Sequence, residues 1–429
     1  INDLVIPNAV NGIKVTGIGD SVFDNCLSLT SVVVPEGVKS IGYRAFAGCR
    51  SLASITLPDS LTSIGSDAFY GCDSLTGVTL PQNLTSIDHG AFGDCDKLTS
   101  IVIPDSVTFI GNGAFAYCSG FTGDLVLPDS VTEIEGFAFS CCSGFNGRLV
   151  LPKNITAVND YTFDSCTGFI GELDIPDNVT YIGERAFINC KGFTDTLSIS
   201  DSVKTIGAFA FQGCTGFDKD LYLSDKLEVL GESAFSGCNG FKGSLKIPEG
   251  VTKIEAAVFD GCSGFTGKLV IPEGVTEIGS MAFNECSGFT GELVIPEGVT
   301  EIGTLTFSGC SGLTGELVIP EGVTSIGNSA FNNCSGLSGK VTIPASVASI
   351  GTDAFSAWKN TVTIHCYEDS AAHKYAADNN IAYKLIKEIV ASGQCGDNVF
   401  YELDSEGVLT ISGTGICMII NLILLRLLH

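Results

Sequence analysis

The chain has 429 residues and a formal net charge of −26, with 48 Asp and Glu against 22 Lys and Arg. That balance excludes nucleic acid and anionic membrane surfaces as natural partners. The one long apolar run, Ile416 to Leu428, contains Asn421 and Arg426 and falls short of the roughly 20 residues of a membrane-spanning helix, so no membrane insertion is expected.

Taken in order, the chain is one phrase repeated. A Phe stands three residues before a Cys at Phe23, Phe46, Phe69, Phe92 and Phe115, a step of 23 residues, and then every 24 residues from Phe139 to Phe331, with Phe355 continuing the phase. A fixed period of this length is the signature of a solenoid. Short strands are predicted at Leu4–Ile6, Val32–Val34, Ile55–Leu57, Val78–Leu80 and Ile101–Ile103, at the same phase in every later coil, and last at Val362–Ile364. The fold class is a repeat solenoid of leucine-rich-repeat type, α/β but β-dominated: a parallel sheet of about 16 short strands, with one short helical turn per 23–24-residue coil. Residues 1–366 form the array of about 15 coils. The extra residues Asn11 to Val15 read as a loop bulging from the first coil, and the bare strand Asp3 to Ile6 implies residues upstream.

Residues 367–387 read as a C-terminal capping helix with an Asp or Ser cap, followed by a strand from Ile381 to Ile386. In 388–415, Ser392 to Asn398 reads as loop and Val399–Leu403 with Val408–Ser412 as a hairpin opening a further module. Residues 416–429 match nothing before them and read as an aberrant or disordered tail.

Within the coil Gly291 to Thr314, Leu293 and Ile295 alternate with Val294, so one face of the strand points inward. Pro296-Glu297-Gly298 is a turn signal. Val299 to Ile302 is a second extended piece with Thr300 and Glu301 outward. Leu305 to Cys310 has the spacing of a helical turn presenting Phe307 and Cys310 inward. One such unit cannot bury its own apolar face; stacking on neighbours is what makes it stable.

Fourteen of the 18 cysteines hold one phase of the repeat, which makes them an inward row of small hydrophobes rather than a disulfide framework. At the next step stands Trp358, an apolar replacement. No closely spaced pair suits zinc. Pairing among the off-phase Cys141, Cys366, Cys395 and Cys417 stays open.

The phrase IPEGVTEIGSMAFNECSGFT, with its relatives in every coil over residues 1 to 387, resembles the BspA-like leucine-rich repeats of bacterial and protozoan surface proteins. The segment SGQCGDNVFYELDSEGVLTISGTG is similar to the start of a further repeat block in such proteins, which implies a chain cut from a longer one. The resemblance implies an extracellular or cell-surface protein that binds host matrix proteins, host cells or other microbes. It offers no catalytic residues and no cofactor to carry over.

Catalysis has no motif behind it. His89, His365, His373 and His429 fall in different phases, and no H-E-x-x-H, G-x-S-x-G or P-loop is present. A polysaccharide-active β-solenoid enzyme is the remote alternative, and it would need Asp with Lys or Arg on outward strand positions that are here mostly Val or Thr. A row of acids follows the turn prolines, including Glu36, Asp59, Asp129, Asp177, Glu273 and Glu297. Local backbone N–H groups can satisfy such carboxylates, though Ca²⁺ would also relieve their stacking. The outward strand row runs in Val and Thr until it breaks at Asp174, Ser198, Tyr222 and Lys246, where two turn prolines are also replaced by Ser200 and Ser224. Tyr181 projects from the neighbouring outward phase. Exposed aromatic and mixed polar groups on a rigid sheet suit protein recognition, so these five are the candidate partner-binding residues. A structural stalk presenting other modules is the competing reading.

Overall fold

The computed structural model describes residues 2–356, 362–387, 389–396, 398–404 and 407–414. Trp358, Cys417, His429 and the tail from Ile416 lie outside the described residues. The repeat winds into a β-solenoid of about 15 coils with almost no helix. Where the sequence predicts a single sheet, each coil instead contributes two extended pieces to two parallel ladders. The first ladder holds the predicted strands. Leu197 lies opposite Leu221 and Ser198 opposite Tyr222, so the register is one full repeat. Two or three residues per coil take part as far as Leu269–Val270 and four to six from Gly315–Val318 onward, and at 78–80, 101–103, 173–175 and 293–295 the ladder lapses. The second ladder, built from the Thr-x-Ile piece, is the more continuous. It forms six strands from Gly17–Ile18 to Glu133–Ile134, four from Ala157–Val158 to Val229–Leu230, and five from Lys253–Ile254 to Ser349–Ile350.

The expected helical turn does not form. Leu305 (φ 58) and Gly309 (φ 75) sit in the left-handed region, where a right-handed helix cannot propagate. Alternate amides divide their work instead. Ser308 and Cys310 bond back three residues to Leu305 and Phe307, while Leu305, Phe307 and Gly309 donate to Asn328, Ala330 and Asn332 of the next coil at 2.8–2.9 Å. The turn is therefore a third line of coil-to-coil bonding, and the strain at positive φ is repaid by those bonds.

The interior is built from columns. Phe23 to Phe355 stack ring on ring with centroids 5.1–5.8 Å apart and planes within 13° of parallel. That is the offset arrangement aromatic quadrupoles favour. A second column, Phe121 to Phe289, stacks at 4.9–6.1 Å and meets the first edge-on, as in Phe163–Phe169 at 6.3 Å. Its phase is Leu in the early coils (Leu29, Leu52, Leu75, Leu98), all buried.

The in-phase cysteines are free thiols, buried from Cys49 onward. Each donates Sγ–H to the carbonyl of a Phe in the coil before it: Cys214 to Phe187 at 3.1 Å, Cys238 to Phe211 at 3.0 Å. A thiol thus fills a small apolar site and still satisfies a carbonyl. Among the off-phase residues, Cys141 and Cys366 are free and Cys395 is disulfide-bonded.

Burial pushes three of the in-phase thiols up, Cys49 to about 11 and Cys238 and Cys334 to about 12, from 9.0. Between those values the unfolded chain releases thiol protons that the folded chain keeps, so stability is full below pH 9 and falls as pH rises toward 12. The expected loss is about 1.4 kcal/mol per pH unit for each thiol in the cooperative unit. Urea midpoints taken at pH about 8 and about 10.5 check it; a flat profile contradicts it.

Near the start, Asn11 (φ 53) and Gly12 (φ 81) make a two-residue turn joining Ala9–Val10 to Ile13–Lys14 as an antiparallel hairpin. The predicted loop is therefore an Asn-Gly hairpin, as left-handed preferences at both central positions dictate. At the other end the helix Ala371–Asp378 begins on Ser370, whose hydroxyl accepts from the His373 amide. Its Tyr375 lies edge-on to Phe355 at 5.8 Å and accepts the Phe355 N–H. The strand Tyr383–Leu385 pairs parallel with Val362–Cys366. Beyond it Ile389–Gly396, read from sequence as largely loop, is a strand. It pairs with Val399–Asp404, which in turn pairs with Leu409–Gly413, in a three-stranded antiparallel sheet.

Candidate partner-binding surface

In the outward row of the first ladder Val126, Val150, Val270, Val294 and Val318 are open to solvent, as the alternation of a strand with one buried face requires. Asp174, Ser198, Tyr222 and Lys246 occupy that row in four successive coils, and all are exposed. Ser198 and Tyr222 are direct cross-strand neighbours. Lys246 pairs with Val270 in the next strand pair. Tyr222 is 57% exposed. Its hydroxyl donates to Asp220 Oδ2 at 3.2 Å, and that bond raises the phenol's pKa. Lys246 Nζ lies 3.5 Å from Asp225 Oδ1, with both side chains well exposed, a pair that contributes little and leaves the ammonium free to exchange partners.

The two missing turn prolines are replaced in kind. Ser224 is fully buried and accepts from the Lys226 amide; Ser200 bonds Asp177 and Ser202. A side-chain bond thus does what a fixed φ does elsewhere.

Tyr181 stands apart. It belongs to the second ladder, in Tyr181–Ile182, and is half-buried. Burial, and then donation to Asp160 Oδ1 at 2.8 Å, push its hydroxyl up to about 12. The structure therefore brings four of the five candidate residues onto one face and puts the fifth on another.

Two residues that the sequence reading passed over join Asp174. Arg148 and Lys153 line a shallow depression of about 430 Å³ with Glu172, Asp174 and Asp195. The signal was present: Lys153 follows Pro152 where the neighbouring coils place Asp129 and Asp177. At that one turn a cation stands where the neighbouring turns carry an acid, and the depression mixes both signs of charge.

Some of the turn acids are tied to the next coil rather than within their own turn. Asp129 Oδ1 accepts the Lys153 amide at 3.0 Å, and Glu36 Oε1 the Asp59 amide at 3.4 Å. Among the described residues no three His, Cys, Asp or Glu side chains converge where a metal ion could sit. Nor is any helix of the described residues long and apolar enough to cross a membrane.

The model of the BspA type leucine rich repeat region matches three overlapping segments, residues 16–146, 138–266 and 241–362. The chain belongs to the BspA-type leucine-rich repeat family. A leucine-rich repeat protein from Bacteroides ovatus is similar over 90% of this chain and 92% of its own, at 30% identity and a TM-score of 0.68. A leucine rich cell surface protein from Faecalibacterium prausnitzii is 28% identical over 89% of this chain and 90% of its own, with a TM-score of 0.40. The pneumococcal vaccine antigen PcpA is 18% identical over 90% of this chain and 89% of its own, with a TM-score of 0.35. No protein in the curated set matches significantly. The Phe and Cys positions of the matched repeats are the buried columns from Phe46 to Cys334.

Proposed function

We propose that this BspA-type array is a non-enzymatic, adhesin-like binding scaffold of the cell surface or extracellular space. It recognises macromolecules, whether host matrix proteins, host cells or other microbes, through the outward row of its first ladder. One observation carries the reading. Between Asp174 and Lys246 the row changes from aliphatic to mixed polar and aromatic, while the Phe and Cys columns behind it continue unbroken. Packing leaves that row free to vary, and an exposed Tyr with polar neighbours suits an aromatic anchor surrounded by a polar rim. The name of the F. prausnitzii neighbour as a cell surface protein supports the location.

Matrix-protein and glycan arrays probed with the purified chain supply the ligand. Tyr222→Ala combined with Lys246→Glu is then expected to weaken binding by at least about tenfold with the melting curve unchanged. Unaltered affinity contradicts the assignment of this face. The stalk reading draws on the near-identical Val rows on either side of the patch, and saturable binding by the isolated chain counts against it.

A further inference from the structure

A second surface feature lies on the residue just before each Ala-Phe pair. In every coil this residue has a left-handed backbone, and Phe137 in this position is exposed. In four successive coils it carries a large side chain. Phe137 stacks on Tyr161 with centroids 4.4 Å apart and planes 11° from parallel. The guanidinium of Arg185 then lies over Tyr161 at 5.3 Å and over Phe209 at 5.1 Å. Arg185 Nε is buried without a hydrogen bond and sits 3.7 Å from Glu184 Oε1. Ring faces therefore hold this cation, which is how a planar, weakly hydrated guanidinium binds aromatic groups.

The column stops abruptly at Phe137, because the preceding coil has Gly113 in this position. A Cβ added at Gly113 would meet only Ala116 Cβ, at 3.8 Å. One coil further back is Gly90, and there the Asp67 carboxylate fills the place of the missing side chain. The result is a notch one coil wide between a carboxylate and the open face of Phe137, which is 40% exposed. Beside it His89, Asn112, Glu133, Glu135, Phe137 and Asp160 line a shallow depression of about 530 Å³. Glu135 Oε2 lies 2.9 Å from His89 Nδ1 and accepts the Asn112 amide at 2.8 Å. The lining is thus anionic and aromatic together.

We propose that this notch receives an arginine side chain of a protein partner, its guanidinium stacked on Phe137 and faced by Glu133 and Glu135. Arg185 over Tyr161 is the same arrangement made within the chain, and the carboxylates supply the charge complement. A lysine ammonium would gain the charge but not the planar stacking; citrulline would gain the plane but not the charge. The site is on a different line of the coil from Tyr222 and stands or falls separately from the surface proposed above.

The test uses the full chain with ¹³C-labelled Phe rings, titrated with capped Gly-Arg-Gly, Gly-Lys-Gly and Gly-citrulline-Gly peptides. The arginine peptide is expected to shift the Phe137 ring resonances with an affinity at least about tenfold above the other two. Gly113→Tyr continues the column and plugs the notch, in a backbone conformation that Phe137, Tyr161 and Phe209 already adopt in this fold. It should abolish the shift with the far-UV spectrum and melting curve unchanged. Should Gly113→Tyr disturb folding, Glu133→Gln with Glu135→Gln replaces it and should weaken the arginine peptide about tenfold. Tyr222→Ala should leave binding unchanged. Equal affinities for the three peptides, no shift of Phe137, or full binding by a plugged or carboxylate-less notch overturns the proposal. So does a neutral sugar that shifts Phe137 where the arginine peptide does not.

Discussion

Replacing Phe211 by alanine is expected to destabilise the middle of the array by about 3–5 kcal/mol. The ring is fully buried and stacks on Phe187 at 5.3 Å and Phe235 at 5.2 Å, so truncation removes two ring contacts and leaves a cavity between two coils. Nothing but the adjacent coils touches that cavity, and rigid ladders on either side limit their collapse. Because each coil depends only on its neighbours, the damage should be local. Hydrogen exchange should rise in the coils around residues 187 to 235 and stay unchanged near Phe46 or Phe331. A uniform loss of protection along the chain would contradict nearest-neighbour stability. Phe211→Leu keeps most of the volume and should cost far less.

Gly216→Ala is expected to be nearly as damaging, by a different route. A Cβ at Gly216 would press on the carbonyl oxygens of Lys191 and Phe193 in the preceding coil. Both are backbone atoms that cannot move without parting the ladders. The same crowding meets Gly168, Gly192, Gly240, Gly264 and Gly288, so this glycine sets how closely successive coils approach. The expected cost is about 1–3 kcal/mol or more, read as a lower urea midpoint. Gly77→Ala is the control. Nothing lies within 4 Å of its added Cβ and its backbone is not left-handed, so it should be neutral or stabilise by up to about 1 kcal/mol. Equal losses at Gly77 and Gly216 would show that glycine's backbone freedom, and not coil spacing, is what matters.

The columns were readable from sequence because their spacing is strict. A buried Phe and a buried Cys tolerate little change in size, and the repeat kept them in phase from Phe46 to Phe331. The helical turn was misread for a physical reason. Leu305, Phe307 and Cys310 have the spacing of a helical face, but the backbone is turned left-handed at Leu305 by amide bonds to the next coil. No residue preference announces this, since Phe137, Tyr161, Arg185, Met281 and Leu305 all share the conformation. The same blindness hid the stacked Phe137, Tyr161 and Arg185, which look like part of a helix until the turn is seen. The hairpin at Asn11-Gly12 carries a clear turn signal, but as an interruption of the 23-residue period it reads first as an insertion. At the candidate surface, the strand period placed Asp174, Ser198, Tyr222 and Lys246 on one row. It could not show that Tyr181, in the next extended piece, faces elsewhere.

The row of free thiols has a consequence of its own. From Cys49 to Cys334 the buried row carries one reporter per coil, each silent to an alkylating reagent until its own coil opens, with the half-buried Cys141 as a second thiol beside Cys142. Isotope-coded labelling followed by peptide mass spectrometry would time those openings one by one, from one end of the molecule to the other. The protein therefore contains, without any engineered probe, the means to chart where along its axis it breathes.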